Sequence, residues 1–162
     1  MSEFFIKQAF AEAIDLQKNQ KYDEAKKLYE KILKRDSRDA NARHLIALIY
    51  MAEGNFDEAK KNIEIAIDQA PDQPIFHSNY GALLHSMGNH KEAVVALEKS
   101  IKLDDKLFQS YYSLGIAYSD LNQNEKAVEA YHKALDVNNK SAAAHNNLAN
   151  LLSNTNNPEA EY

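Results

Sequence analysis

Cysteine and tryptophan are absent from this 162-residue chain, glycine occurs only four times and proline three times. Without cysteine there is no disulfide framework and no thiolate metal site. So few glycines cannot build a glycine-rich phosphate loop. No apolar run approaches the ~20 residues that a membrane-spanning helix requires. The opening Met1-Ser-Glu-Phe-Phe5 lacks the charged-then-apolar layout of a signal peptide. A net charge of −5 with a pI near 5.7 leaves no electrostatic footprint for nucleic acid. Together these absences predict a soluble, cytoplasmic protein whose partners are neither membrane nor nucleic acid.

Catalytic signatures are missing as well. His44, His77, His85, His90, His132 and His145 include no i, i+4 pair and no His-Glu-x-x-His. Ser78 and Ser113 have neither a nucleophile elbow nor an identifiable base. His44 and His85, facing each other across adjacent units, form the one candidate metal pair, and it is a weak one. His77 and His145 share a column with Tyr111, which predicts core packing for both rather than ligation. The expectation is no enzyme activity, no cofactor and no metal.

The chain does contain a period of 34 residues. Ala25, Ala59, Ala93 and Ala127 stand one period apart, as do the small residues Ala13, Ala47, Gly81, Gly115 and Ala149. Large apolar residues keep the same step: Leu16, Tyr50, Leu84, Tyr118 and Leu152, then Tyr29, Ile63, Leu97 and Tyr131, then Leu33, Ile67, Ile101 and Leu135. Small residues let helix axes approach, and large ones fill the grooves beside them. Each unit therefore reads as two helices of roughly 12 to 14 residues, too short to be stable alone in water and dependent on their neighbours.

Turn chemistry supports this reading. Gly54, Gly88 and Asn122 suit the left-handed residue that ends a first helix. Asn55 to Glu58 and Asn89 to Glu92 supply an N-cap with a glutamate three residues on. Pro71 and Pro74 bracket one step between units. Glu12 takes a column held elsewhere by Ile46, Tyr80, Leu114 and Leu148, which predicts that the first helix is an exposed end. Met1 to Phe5 extend it, with Phe4 or Phe5 folding over that end. Ala142 to Ser153 is a complete first helix, and Pro158 begins a second that stops at Tyr162. This implies either the amino-terminal piece of a longer protein or an open end, marked by Leu148, Leu151 and Leu152, covered by a partner or a second copy.

The columns resemble the tetratricopeptide repeat, whose pattern is Trp-x2-Leu-Gly-x2-Tyr, Ala-x3-Phe and Pro at the same period. The resemblance covers units 6–39, 40–73, 74–107, 108–141 and a partial 142–162, as one array. The Trp column reads Ala9, Arg43, His77, Tyr111 and His145, and the closing Pro appears once, as Pro71. The implied fold is all-α, a right-handed superhelical solenoid of antiparallel helix pairs, with four full repeats and part of a fifth.

Such arrays present a concave groove lined by first helices. The resemblance places Lys7, Phe10 and Ile14 there, followed by Asn41, His44, Leu45, Leu48 and Met51. From the third unit come Ser78, Asn79, Ala82 and His85; from the fourth, Gln109, Tyr112, Ser113, Ile116 and Ser119. Asn146, Asn147 and Asn150 complete the lining. Apolar anchors among amides and hydroxyls suit an extended peptide or an amphipathic helix. Some members of the family grip a terminal carboxylate with Lys, Asn and Arg; here the corresponding residues are Phe10, Ile14, Leu45, Ile75 and Asn79, which argues against binding chaperone C-termini. Ala144 to Leu152 also resembles the repeats that precede O-GlcNAc transferase-like catalytic domains, where groove asparagines hold substrate backbone. The basic run from Lys26 through Lys27, Lys31, Lys34 and Arg35 to Arg38 is expected to be a solvated outer face. The leading expectation is a scaffold that binds a protein or peptide in the groove. The alternative is a substrate-recruiting arm of a larger glycosyl- or sulfotransferase, and a third reading is self-association through the C-terminal end.

Overall fold

The computed structural model describes residues 3–155, with side chains from Phe4 to Ser153. Among them are nine helices and no strand: α1 (Glu3–Lys18), α2 (Tyr22–Arg35), α3 (Ala40–Ala52), α4 (Phe56–Gln69), α5 (Pro74–Ser86), α6 (His90–Leu103), α7 (Phe108–Asp120), α8 (Asn124–Val137) and α9 (Ala142–Thr155). The chain divides between Asp72 and Gln73 into two compact units. In the first, α1 packs on α2, α2 on α3 and α3 on α4. In the second, each helix from α5 to α9 packs on the next, and α5 also meets α7. None of the described helices is long and apolar enough to cross a membrane.

Sequence columns become burial columns. Ala25, Ala59, Ala93 and Ala127 are all completely buried, as are Tyr29, Ile63 and Leu97. Burying one such large side chain contributes roughly 1.5–3 kcal/mol. In the first unit Ala9, Ala13, Ala25, Tyr29, Ile32 and Ile46 form one cluster. In the second, Leu84, Leu97, Leu114, Ala117, Tyr131 and Leu148 belong to another. Gly81 and Gly115 mark the closest approaches. A Cβ on Gly81 would lie 2.5 Å from Leu97 Cγ, and one on Gly115 would lie 2.6 Å from the Tyr131 ring.

The turn inside each helix pair repeats with the same step. Gln20, Gly54, Gly88 and Asn122 have φ of 60°, 74°, 80° and 55°. The next residue's N–H reaches back to the carbonyls of Leu16, Tyr50, Leu84 and Tyr118 at 2.8–2.9 Å, closing a Schellman turn each time. Between pairs, Asp36, Asp104 and Asn138 each accept a hydrogen bond from the backbone two residues on. Asp39 and Ser141 then cap α3 and α9 by accepting from Ala42 and Ala144.

Several local expectations change. Phe4 is 75% exposed and Phe5 also lies open, so neither folds over the end of α1. Asn55 caps α4 through Glu58 N–H, but Asn89 makes no side-chain cap at α6. Within the basic run Lys26 is held rather than solvated, pairing with Glu53 at 2.8 Å and lying over the Tyr50 ring, while its companions are exposed. Leu148 and Leu151 are buried in the core of the second unit, so of the proposed sticky triad only Leu152 is open. Ala149 is exposed too. In earlier units these columns pack under the second helix of the pair, and the second helix expected from Pro158 lies outside the described residues.

Candidate partner-binding cleft

In the second unit, α7, α8 and α9 enclose a cleft of about 280 Å³ lined by Ile116, Ser119, Asp120, Tyr131, Asn147, Asn150 and Leu151. Ile116, Ser119 and Asp120 fall on one face of α7 because they are spaced by three and four residues. Asn147, Asn150 and Leu151 do the same on α9. Tyr131 reaches in from α8, and only the absence of a side chain at Gly115 leaves its ring room.

Polar groups in the cleft are set rather than loose. Asn147 Nδ2 donates to the hydroxyls of Tyr112 (3.3 Å) and Tyr131 (3.5 Å). That leaves the Asn147 carbonyl turned away from this bond as an acceptor. The Tyr112 ring stacks on Phe108 at 5.6 Å and tilts against Tyr131 at 6.2 Å, which fixes both hydroxyls. Burial pushes the Tyr131 hydroxyl up to about 12, so it stays neutral and keeps a proton to donate. Asp120 places a carboxylate at one end, and the described lining residues include no cation.

The sequence-predicted groove residues separate into groups. Ser119, Asn147 and Asn150 meet in this cleft, and Tyr112 supports it from behind. Gln109 is exposed on the same helix and donates to Ser113 Oγ at 3.1 Å. Asn146 is exposed and Asn79 half-buried. In the first unit Phe10 is half-buried against Tyr29, Met51 is half-buried and Asn41 exposed. His44, Ser78 and Ser113 are buried and are corrected out of any open lining. Their columns lie closer to the helix–helix seam than the family geometry implied. Burial drives the His44 imidazole down to about 4, so it is neutral at physiological pH. His77 is buried as expected, but His145 is exposed and its Nε2 donates to the Asn139 carbonyl at 3.0 Å.

Sequence reasoning missed Asp120, Tyr131 and Leu151. Asp120 ends α7 one turn after Ile116, on the same helix face. Also missed was His85's partner. His85 Nε2 lies 2.5 Å from Asp120 Oδ2, and the His85 and His90 rings sit 5.0 Å apart, so His85 meets groups of its own unit.

Comparisons agree with the architecture. Three models described as tetratricopeptide repeat match residues 16–84, 76–107 and 108–141. Small glutamine-rich tetratricopeptide repeat-containing protein 2 of Saccharomyces cerevisiae is 32% identical over 97 residues, 56% of this chain and 28% of that protein. The chain spans about a fifth to just over a quarter of the length of such curated relatives. Pseudomonas aeruginosa pilF superposes with a TM-score of 0.87 at 19% identity, over 93% of this chain and 68% of the other. The first repeat domain of Spaghetti (RPAP3), solved with the HSP90 peptide SRMEEVD, gives 0.71 at 20% identity, covering 74% and 94%. At these identities the structural likeness concerns the fold.

Proposed function

The chain belongs to the tetratricopeptide-repeat family, and from that premise we propose that it is a non-catalytic scaffold holding a peptide segment of a protein partner in the α7–α8–α9 cleft. One observation carries the reading: Asn147, fixed by two tyrosine hydroxyls, stands beside Asn150, Ser119 and the apolar Ile116 and Leu151. Side-chain amides match the alternating donors and acceptors of an extended backbone, and the apolar pair accepts a side chain between them. Asp120 and the absence of a cation disfavour an acidic ligand. The Glu-Glu-Val-Asp end of the peptide bound by the RPAP3 domain is therefore a poor match, and the preferred segment is neutral or basic. The transferase-arm alternative rests on the asparagine resemblance alone.

The test is selection of peptides by display on the intact chain, followed by measurement of their affinities. Asn150→Ala and Ser119→Ala, both away from the core hydrogen bonds, are expected to weaken the best peptide by about tenfold between them, near 1.4 kcal/mol. Phe10→Ala, in the first unit, should leave its affinity unchanged. Loss with Phe10→Ala and none with the cleft variants would move the site elsewhere.

A further inference from the structure

A second cluster in the same unit shares only Asp120 with the peptide cleft. His85 lies in the last turn of α5, His90 opens α6 and Asp120 closes α7. One ligating atom from each falls within 4.8 Å of the other two. We propose that these three side chains bind a single divalent transition-metal ion of the zinc class, with water completing a four-coordinate shell.

The backbone brings the two imidazoles together. His85 and His90 are five residues apart, a spacing that diverges on a continuous helix. Here the chain reverses between them through Gly88 at φ 80°, with Gly88 N–H bonded to the His85 carbonyl at 2.9 Å and Asn89 N–H to that of Leu84 at 2.9 Å. This rigid turn sets the rings 5.0 Å apart at 53°. Asp120 then arrives from α7, one full repeat plus one residue after His85.

One observation points to a ligand rather than to a finished polar network. His90 Nδ1 is shielded from solvent and has no hydrogen-bond partner among the described residues. Such an atom is destabilising unless something satisfies it. In addition, the His85 side chain is only 28% exposed, whereas Asp120 at 46% retains freedom to move. Donors around a tetrahedral ion with bonds of ~2.0 Å sit about 3.3 Å apart. The His85–Asp120 contact of 2.5 Å must therefore open by roughly 0.8 Å, which a rotation of the carboxylate at a helix end provides. Two imidazole nitrogens and one carboxylate favour zinc, cobalt or nickel over calcium and magnesium, which prefer all-oxygen shells.

The experiment uses the untagged full chain and zinc ion alone, titrated against a chromophoric chelator, with cobalt substitution as an optical readout of coordination. One equivalent is expected to bind, with cobalt giving the intense visible bands of a four-coordinate site, and calcium should not compete. His90→Ala and Asp120→Asn should each weaken zinc by about tenfold or more, while His132→Ala, an exposed histidine of α8, leaves it unchanged. Asp120→Asn keeps a hydrogen-bonding side chain beside His85, and far-UV circular dichroism verifies that each variant is still helical. Absence of zinc binding by the helical wild type overturns the site. So does undiminished binding in both helical variants.

Discussion

At the residue scale, Gly115 joins packing to the candidate cleft. Replacing it with alanine adds roughly 1 kcal/mol of helix propensity, but the new methyl would stand 2.6–2.9 Å from three atoms of the Tyr131 ring. Overpacking of this kind costs about 1–3 kcal/mol, and Tyr131 is nearly fully buried and tied to Asn147, so the ring has little freedom to yield. Gly115→Ala is therefore expected to lower stability by about 1 kcal/mol and also to weaken a cleft-bound peptide. Chemical denaturation and peptide titration of the same preparation report the two effects. In the first unit Ala13 occupies the matching column opposite Tyr29, whose hydroxyl donates instead to Gln17 at 3.2 Å. Size class was legible from the repeat at these positions; the difference in ring placement was not, because it depends on hydrogen bonds to residues outside the columns.

At the element scale, the period reveals helix pairs and their turns but not which side chains meet between pairs. Two contacts make the point: His85 with Asp120 and Tyr112 with Asn147 are each 35 residues apart, one period plus one. Successive first helices are offset by that single residue where their inner faces touch. A comparison made in steps of 34 passes over every such pair, which is why Asp120 and the His85–His90 cluster went unseen. The search for histidines at i, i+4 failed for a related reason, since a Schellman turn brings i and i+5 together. The turns also carry a prediction. Gln20 holds the left-handed position that glycine or asparagine fills in the other pairs. A non-glycine residue there bears strain of roughly 1–2 kcal/mol. Gln20→Gly should relieve part of it, offset by the entropy of a freer unfolded chain, for a net gain of about 0.5–1 kcal/mol in the first unit. A rise in the midpoint of urea unfolding checks it, and an unchanged midpoint would show that Gln20 bears no strain.

At the scale of the whole molecule, the chain divides into two compact units between Asp72 and Gln73, inside the Pro71–Pro74 bracket. Each unit has its own buried cluster, and they carry different titrating groups. His44, buried in the first, sits at about 4 against an ordinary 6.5 because burial penalises its charged form. Above 6.5 the histidine is neutral whether folded or unfolded, and its contribution is constant. As pH falls from 6.5 toward 4 only the unfolded chain takes up the proton, so folding loses stability across that window, by roughly 3 kcal/mol in total. Below 4 both states are protonated and this loss stops growing. Acidification should thus unfold the first unit ahead of the second. Amide exchange followed helix by helix is expected to show α1 to α4 losing protection between pH 6.5 and 5 while α5 to α9 keep theirs. His44→Gln cannot take up that proton, and in this variant the two sets of helices should lose protection together. Equal acid sensitivity in the wild type would mean that burial of His44 does not govern the stability of its unit.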